Sequence, residues 1–224
     1  MPQSMRIFAR FVVRRNCDPV TVVAAPRNRN SIFRYSACLV FGPLLVGERV
    51  TLRPADDSDP PRFVPWFADM EVTRWLGRRS AAALYQELDF FKKVGESKND
   101  IMWIIDVAGA TVGGIGIHEI DWLDAHGVTG ILIGDKSYWR QGIASEAMQL
   151  RTRYAFRELN LRKLTTEVYV DNVASRRALE KAGYRTVGIQ KEHFFSGGGW
   201  HDKWIAEVLR ADWEKAQPVT VAAG

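Results

Sequence analysis

The sequence predicts a mixed α/β fold, in which a central, mostly antiparallel sheet of about seven strands carries helices on both faces. Two patterns lead to this prediction. Three β-like runs follow one another between residues 101 and 133, as in an antiparallel meander. A strand–helix–strand unit then spans residues 128–170, and such a crossover makes its two strands parallel neighbours.

The first elements are a short strand and two helices. Polar and apolar residues alternate over Arg49–Arg53 until Pro54 ends the strand. A helical segment follows, and a second helix is predicted for about residues 81–94. The first helical segment is recognised by large apolar residues at helical spacing, namely Phe63, Trp66, Phe67 and Met70.

The central strands are predicted at Ile101–Val107, Thr111–Ile120 and Val128–Ile133. A helix over about Ala144–Leu159 then returns the chain to a strand at Leu164–Val170. These two strands should lie side by side and run in the same direction.

The last elements are a helix and a hairpin. Asp171 or Asn172 caps the start of the helix, and Gly183 occupies the position that ends it. Three glycines at 197–199 form the turn of a hairpin over residues 184–209.

Charge is distributed unevenly along the 224 residues, whose formal net charge is +5. Residues 1–47 contain seven arginines and one acid, which leaves 24 basic and 25 acidic residues in the remainder. We therefore predict a basic extension at 1–47, either poorly ordered, an arm or a targeting segment, a folded domain at 48–214, and a tail at 215–224. The near-neutral domain argues against nucleic-acid binding.

Cys17 and Cys38 both lie in this extension, so the predicted domain has no disulfide, thiolate metal site or cysteine nucleophile. The four histidines lack zinc-ligand spacing, and no metal is predicted. No run of residues is suited to span a membrane, and a reducing cytoplasm fits the cysteine usage.

A motif at Tyr138–Met148 indicates a phosphate site. It reads YWRQGIASEAM and leads from a β-like run into a helical pattern. The first amides of a helix lack partners, and the helix dipole places about half a positive charge there, so main chain can hold linked phosphates. Gly142 and the small Ala144 allow close approach of the backbone.

A second motif at Asp171–Tyr184 reads DNVASRRALEKAGY. Together, the two motifs resemble those of the GCN5-related N-acetyltransferases (GNAT), and most closely the RimJ/RimL-like ribosomal-protein alanine acetyltransferases. The resemblance extends over about residues 47–213. It implies a central sheet in which two neighbouring strands splay apart, with acetyl-CoA bound beside them.

By this resemblance, the chain is expected to transfer an acetyl group to a primary amine by direct attack on the thioester. The acceptor is a protein N-terminus or a small amine, and similar proteins are commonly homodimers. A backbone amide of Ile133 or Gly134 should bind the oxyanion. The other predicted cofactor contacts are Arg140, Gln141, Gly142, Ile143, Ala144, Ser145, Asn172, Ser175 and Arg177.

Glu119 is the candidate general base, because it ends the strand beside the predicted splayed one. His118 and Asp121 are its rivals, a water chain could remove the proton instead, and an exposed structural role is the commonest fate of a glutamate.

For the proton donor to the leaving thiolate, the sequence departs from the family that it resembles. Many relatives place a tyrosine where this chain has Leu179. Ser175 is the substitute candidate, unless it only serves the start of its helix, and Tyr184 is the next. The departure at Leu179 also keeps open a second function, a non-catalytic acyl-CoA-binding or regulatory module.

Overall fold

The computed structural model describes residues 41–78 and 80–217. Most of the predicted basic extension and of the predicted tail lies outside the described residues. Within the described part, residues 41–47 already lie against the sheet, because the Gly42 amide donates to the Met102 carbonyl and the Trp103 indole donates to the Pro43 carbonyl. The folded part thus begins before Glu48.

One sheet of eight strands runs through the described residues in the order β1-β2-β3-β4-β5-β6-β8-β7. β5 and β6 pair in parallel, and the other neighbours pair antiparallel. The strands are β1 (Leu45–Val46), β2 (Thr51–Arg53), β3 (Ile101–Val107), β4 (Ala110–Asp121), β5 (His126–Ile133), β6 (Lys163–Tyr169), β7 (Arg185–Ser196) and β8 (Gly199–Leu209).

Six α-helices occur in the described residues: α1 (Pro60–Ala68), α2 (Met70–Thr73), α3 (Leu84–Glu96), α4 (Ile143–Arg157), α5 (Val173–Lys181) and α6 (Arg210–Ala216). A single 3-10 turn lies at Lys136–Tyr138. None of the helices in this part of the chain is long and apolar enough to cross a bilayer.

Two apolar clusters pack against opposite faces of the sheet. The larger one joins α4, α5 and α6 to residues such as Ile115 and Ile117 of β4. The smaller one joins α1 and α3 to Met102 and Ile104 of β3. Since side chains alternate along a strand, the even-numbered positions from Gly114 to His118 face α1 and α3, and Gly114 accordingly lies against Phe63.

A buried ion pair fixes α1 to the sheet. Asp59 is 0% exposed and immediately precedes α1. Its carboxylate accepts two hydrogen bonds from the Arg53 guanidinium, at 2.7 and 2.8 Å, and one from the Asp56 amide at 2.8 Å. Thr111 of β4 adds a contact at 3.3 Å, so strands β2 and β4 both hold the start of this helix.

The predicted architecture is confirmed, with β1 and α6 as additions. The bounds of β3 are those predicted, and Asn172 and Gly183 lie at the predicted ends of α5, Gly183 with a φ of +95°. β1 has only two residues, too few for an alternating pattern to be recognised.

Candidate active site

A gap opens between β5 and β6 in the middle of the sheet. The two strands pair at three successive positions, ending with Val128 opposite Thr165, although β5 continues to Ile133. Two side chains bridge the strands just beyond. The Thr129 hydroxyl donates to the Thr165 carbonyl at 2.9 Å, and the Thr166 hydroxyl donates to the Thr129 carbonyl at 3.2 Å.

The register of β4 and β5 determines which β5 amides face this gap. The Gly134 amide donates to the Val112 carbonyl at 2.9 Å. Because hydrogen-bonding direction alternates along an antiparallel ladder, the amides of Ile131 and Ile133 point away from β4 and toward the gap. The structure therefore keeps Ile133 as an oxyanion candidate and adds Ile131, whereas the Gly134 amide is already engaged.

The loop before α4 has the backbone geometry of an anion site. Gly142 has a φ of +83° and Arg140 a φ of +61°, and α4 begins at Ile143. Within the described ranges, no protein acceptor pairs with the backbone amides of residues 140–145. These free amides and the start of a 15-residue helix suit a diphosphate group.

Arg49 and Glu146 brace this loop, a feature that sequence reasoning missed. Glu146 Oε1 accepts hydrogen bonds from the Arg49 and Val50 amides at 2.9 and 3.1 Å, and Arg49 Nη1 donates to the Gln141 carbonyl at 2.8 Å. Although burial opposes it, the amide hydrogen bonds hold the pKa of Glu146 below its ordinary value. The two residues are 97 positions apart, so no local pattern indicates the contact.

The predicted cofactor-binding side chains divide into three groups. Gln141 donates to the Ser137 carbonyl, and Asn172 accepts from the Ser175 amide at 3.2 Å, so both already serve the local structure. Arg140 and Arg177 are exposed and available to a ligand. Ala144 and Ser145 lie half-buried in the first turn of α4, where their amides matter more than their side chains.

Glu119 lies next to His118, which is opposite Val128, the last β5 residue that pairs with β6. Glu119 sits in a β-bulge with a φ of +51°, and its side chain is exposed. Glu119 thus lies near the end of β4, where the sequence argument placed it, and its role as the base stays a prediction.

His118, the rival base, is half-buried. Its ring lies over Gly116, on the face of the sheet that carries α1 and α3. Burial lowers the pKa of His118, although nearby Asp100 opposes this effect. Asp121, the other rival, uses its carboxylate to accept the amides of Leu123 and Asp124.

Tyr184 belongs to a buried polar network rather than to the gap itself. Its side chain is 2% exposed, and its hydroxyl contacts Thr129 Oγ1 at 3.0 Å and Arg151 Nη2 at 3.2 Å. Arg151 also donates to the Gly130 carbonyl at 3.2 Å. Burial lowers the pKa of Arg151, while the Tyr184 hydroxyl raises it. The network supports the start of the gap from the α4 face.

The position of the usual tyrosine is apolar core. Leu179 is 2% exposed and packs in the larger cluster. Ser175 lies half-buried in the first turn of α5, with its amide capped by Asn172.

Aromatic side chains surround the open end of the gap. The Trp66 indole of α1 covers Gly134, where a Cβ would lie 2.0 Å from the ring. Tyr169, near the end of β6, stacks on Phe194 at 4.0 Å between ring centroids. Beside them, His201 Nδ1 lies 2.6 Å from Asp171 Oδ2, and this hydrogen bond, together with the one to the Ser196 carbonyl, raises the pKa of His201.

Comparisons with known proteins agree with this geometry. Residues 49–185 match the family model described as an acetyltransferase (GNAT) domain. The Bacillus subtilis N-acetyltransferase YoaA is 27% identical over 173 residues, covering 75% of this chain and 97% of that protein. YdaF of the same organism, whose name describes a ribosomal N-acetyltransferase, is 25% identical over 176 residues, covering 75% and 96% of the two chains.

The fold is also that of a solved acetyltransferase. The spermidine N-acetyltransferase of Vibrio cholerae, solved with CoA and spermine, superposes with a TM-score of 0.70 and 18% identity, covering 75% of this chain and 99% of that one. The predicted fold, enzyme class and acyl donor are confirmed. The chain belongs to the GNAT family of N-acetyltransferases, for which acetyl-CoA is the acyl donor.

Proposed function

We propose that this enzyme transfers an acetyl group from acetyl-CoA to a single primary amine by direct attack. The observation that carries the proposal is the gap between β5 and β6, because its inward-facing amides lie beside a loop of unpaired amides at the start of α4. The loop can hold the diphosphate of acetyl-CoA while the gap receives its thioester.

The proposed roles follow from where the groups lie. The amides of residues 140–145 bind the diphosphate, and exposed Arg140 and Arg177 add positive charge around it. The amide of Ile131 or Ile133 stabilises the oxyanion. Ser175 remains our candidate proton donor to the sulfur, since the hydroxyl of Tyr184 is already hydrogen-bonded in the buried network.

The reaction itself needs no enzyme nucleophile. The amine nitrogen forms a bond to the thioester carbonyl carbon, the tetrahedral intermediate collapses, and the carbon–sulfur bond breaks. The nitrogen loses one proton to a base, and the departing thiolate gains one. The products are an amide and free CoA.

The charges around the gap favour an acceptor with one amine over a polycation. Several acids on the surrounding elements already have cationic partners, so they offer less attraction to a polyamine than free carboxylates would. These pairs are Asp69 and Glu71 with Lys136, Glu87 with Arg78, Glu167 with Lys203, and Asp171 with His201.

We therefore favour a protein N-terminus as the acceptor, as in the RimJ/RimL-like branch, over a small amine. The similarity to YdaF supports this choice. We further propose a cytoplasmic location, a homodimer, and a catalytic domain at 48–214 that, together with the packed residues 41–47, needs neither the rest of the basic extension nor the tail at 215–224. For the dimer, the support is β7, a 12-residue edge strand with Val187 58% exposed.

Mass spectrometry of an acceptor panel tests the proposal. The purified enzyme is incubated with acetyl-CoA and peptides that begin with Ala, Ser or Met, together with spermidine, an aminoglycoside and free amino acids. Addition of one acetyl group to a peptide α-amine with release of free thiol is expected. Acetyl-CoA binding in calorimetry without any turnover would contradict the proposal and favour the binding module.

A further inference from the structure

The imidazole of His118 lies directly against the part of β5 that borders the gap. Its Nε2 atom lies 2.7 Å from where a Cβ would stand on Gly116, and 3.6 Å from that position on Gly130. Only the absence of a side chain at Gly116 leaves room for the ring there. Gly130 adjoins Ile131, whose amide faces the gap, and it follows the last β5–β6 pair by two residues.

The other ring nitrogen faces a carboxylate that is itself held in place. His118 Nδ1 lies 3.6 Å from Asp100 Oδ1. Asp100 accepts hydrogen bonds from the Ser97 hydroxyl at 2.6 Å and from the Glu119 amide at 3.0 Å. The left-handed backbone of Glu119 thus serves this arrangement through its amide, while its own carboxylate stays in solvent.

We propose that His118 is the general base of the acetyl transfer and that Asp100 is its positioning residue. The inference rests on the proposed function. Asp100 favours the tautomer that carries the proton on Nδ1, which leaves the Nε2 lone pair over Gly130. Among the described residues, Nε2 has no hydrogen-bonding partner.

The face of the sheet suits this role. Arg151 and the start of α4 lie on one face, whereas His118 lies on the face with α1 and α3. An amine that enters from the α1 side meets the imidazole before the thioester. The nitrogen gives its proton to Nε2, and with 37% of its side chain exposed His118 can release that proton to water.

The surroundings of the His118 ring favour its neutral form, which can accept a proton. Burial lowers the pKa of His118, and Arg151 acts in the same direction from α4. Asp100, just before β3, and Glu119 from β4 raise the pKa, but the net direction is downward. His118 is therefore neutral at neutral pH and becomes protonated only below its ordinary pKa.

The test is the pH dependence of kcat/KM with acetyl-CoA and an Ala-initiated peptide, or the panel amine that turns over fastest. His118→Gln should lower kcat by about 100-fold and remove the low-pH limb that the imidazole imposes. Asp100→Asn should move this limb to lower pH, since Asp100 raises the His118 pKa. His126→Gln, at the closed end of β5, is the matched control and should retain the wild-type profile.

Two further measurements distinguish loss of the general base from loss of folding or of acetyl-CoA binding in the His118 variants. Acetyl-CoA affinity and thermal unfolding of His118→Gln should match the wild type, and imidazole added to His118→Ala should restore part of the rate. An unchanged limb in His118→Gln, or a limb that disappears in Glu119→Gln instead, would overturn the inference while leaving the proposed function intact. If the wild type acetylates nothing in the panel, the proposed function fails first.

Discussion

The two sides of the gap to which we assign the nucleotide and the acceptor amine, called here the nucleotide side and the acceptor side, are built in different ways. The nucleotide side uses consecutive residues, 140–145, and acts mainly through backbone amides at the start of α4. The acceptor side is assembled from distant segments, with Trp66 from α1, Asp100 before β3 and His118 from β4. A site made of contiguous main chain leaves a motif in the sequence, and a site made of side chains from separate elements does not.

The two sides also differ in what holds them together. The nucleotide loop is braced by one partly exposed pair, Arg49 with Glu146. The acceptor wall is fixed by the fully buried Asp59, whose ion pair with Arg53 joins α1 to the sheet. Substitutions on the nucleotide side should change the affinity for acetyl-CoA. Substitutions on the acceptor side should change the stability of the protein and its reaction with the amine.

The largest expected effect comes from Gly142→Val. A β-branched residue at a φ of +83° is strained, and relief of this strain moves the loop away from its binding geometry, whereas the exposed tip of Arg49, 3.0 Å from the new Cβ, can simply turn aside. We expect the calorimetric Kd for acetyl-CoA to rise by about 100-fold, or about 3 kcal/mol. Gly109→Val is the matched control, because Gly109 has a φ of +84° in the β3–β4 turn with open space around it. Gly109→Val should carry the same backbone strain and bind acetyl-CoA normally. Equal losses of affinity in both variants would mean that strain at any turn weakens binding, whether or not the turn lies at the site.

The acceptor wall is tested by Asp59→Ala. Removing the carboxylate leaves Arg53 without its main partner and frees the start of α1, so the free energy of unfolding should fall by about 3 kcal/mol in urea titrations. Asp57→Ala, at an exposed position two residues away, should change it by less than about 0.5 kcal/mol. Acetyl-CoA affinity at low temperature should survive in both, and its loss in Asp59→Ala would show that the two sides are not separable.

A smaller effect is expected from Arg49→Met. The Arg49 side chain is 56% exposed, so its ion pair with Glu146 and its hydrogen bond to the loop contribute about 0.5–1 kcal/mol together. The Kd for acetyl-CoA should rise two- to fivefold, more at low salt than at high salt. If the Kd is independent of salt in both the wild type and Arg49→Met, the charge of Arg49 does not contribute to binding.

The smallest effect concerns pH and the pair of His201 with Asp171. The hydrogen bond to Asp171 raises the pKa of His201 in the folded state, so the stabilisation is complete below the ordinary histidine pKa and is lost as the pH rises through the folded value. The urea midpoint of the wild type should fall over this window, and that of Asp171→Asn should fall less. An NMR titration of His201 checks the sign, because a pKa at or below its ordinary value would contradict the assignment.

Within the fold, the sequence predicted those helices and strands whose hydrophobic periodicity and capping residues lie close together in the chain. β3 and the caps of α5 are examples, because alternation, Asn172 and Gly183 act locally. β1 was missed, since two residues carry no period, and only the pairing of Leu45 with Leu52 makes them a strand. The bulge between His118 and Asp121 was missed as well, because a bulge is defined by the pairing of β4 with β5 and not by the residues of β4 alone.

The sequence by itself determined the family, the fold class and the place of the loop to which we assign the nucleotide, because Gly142 and the start of α4 act through contiguous backbone. Tertiary structure alone decided which amides face the gap, through the β4–β5 register, and which nitrogen of the His118 ring lies against β5, through a glycine at 116 and a carboxylate at 100. Register and cross-strand contacts depend on residues far apart in the chain, and no local pattern encodes their relative position.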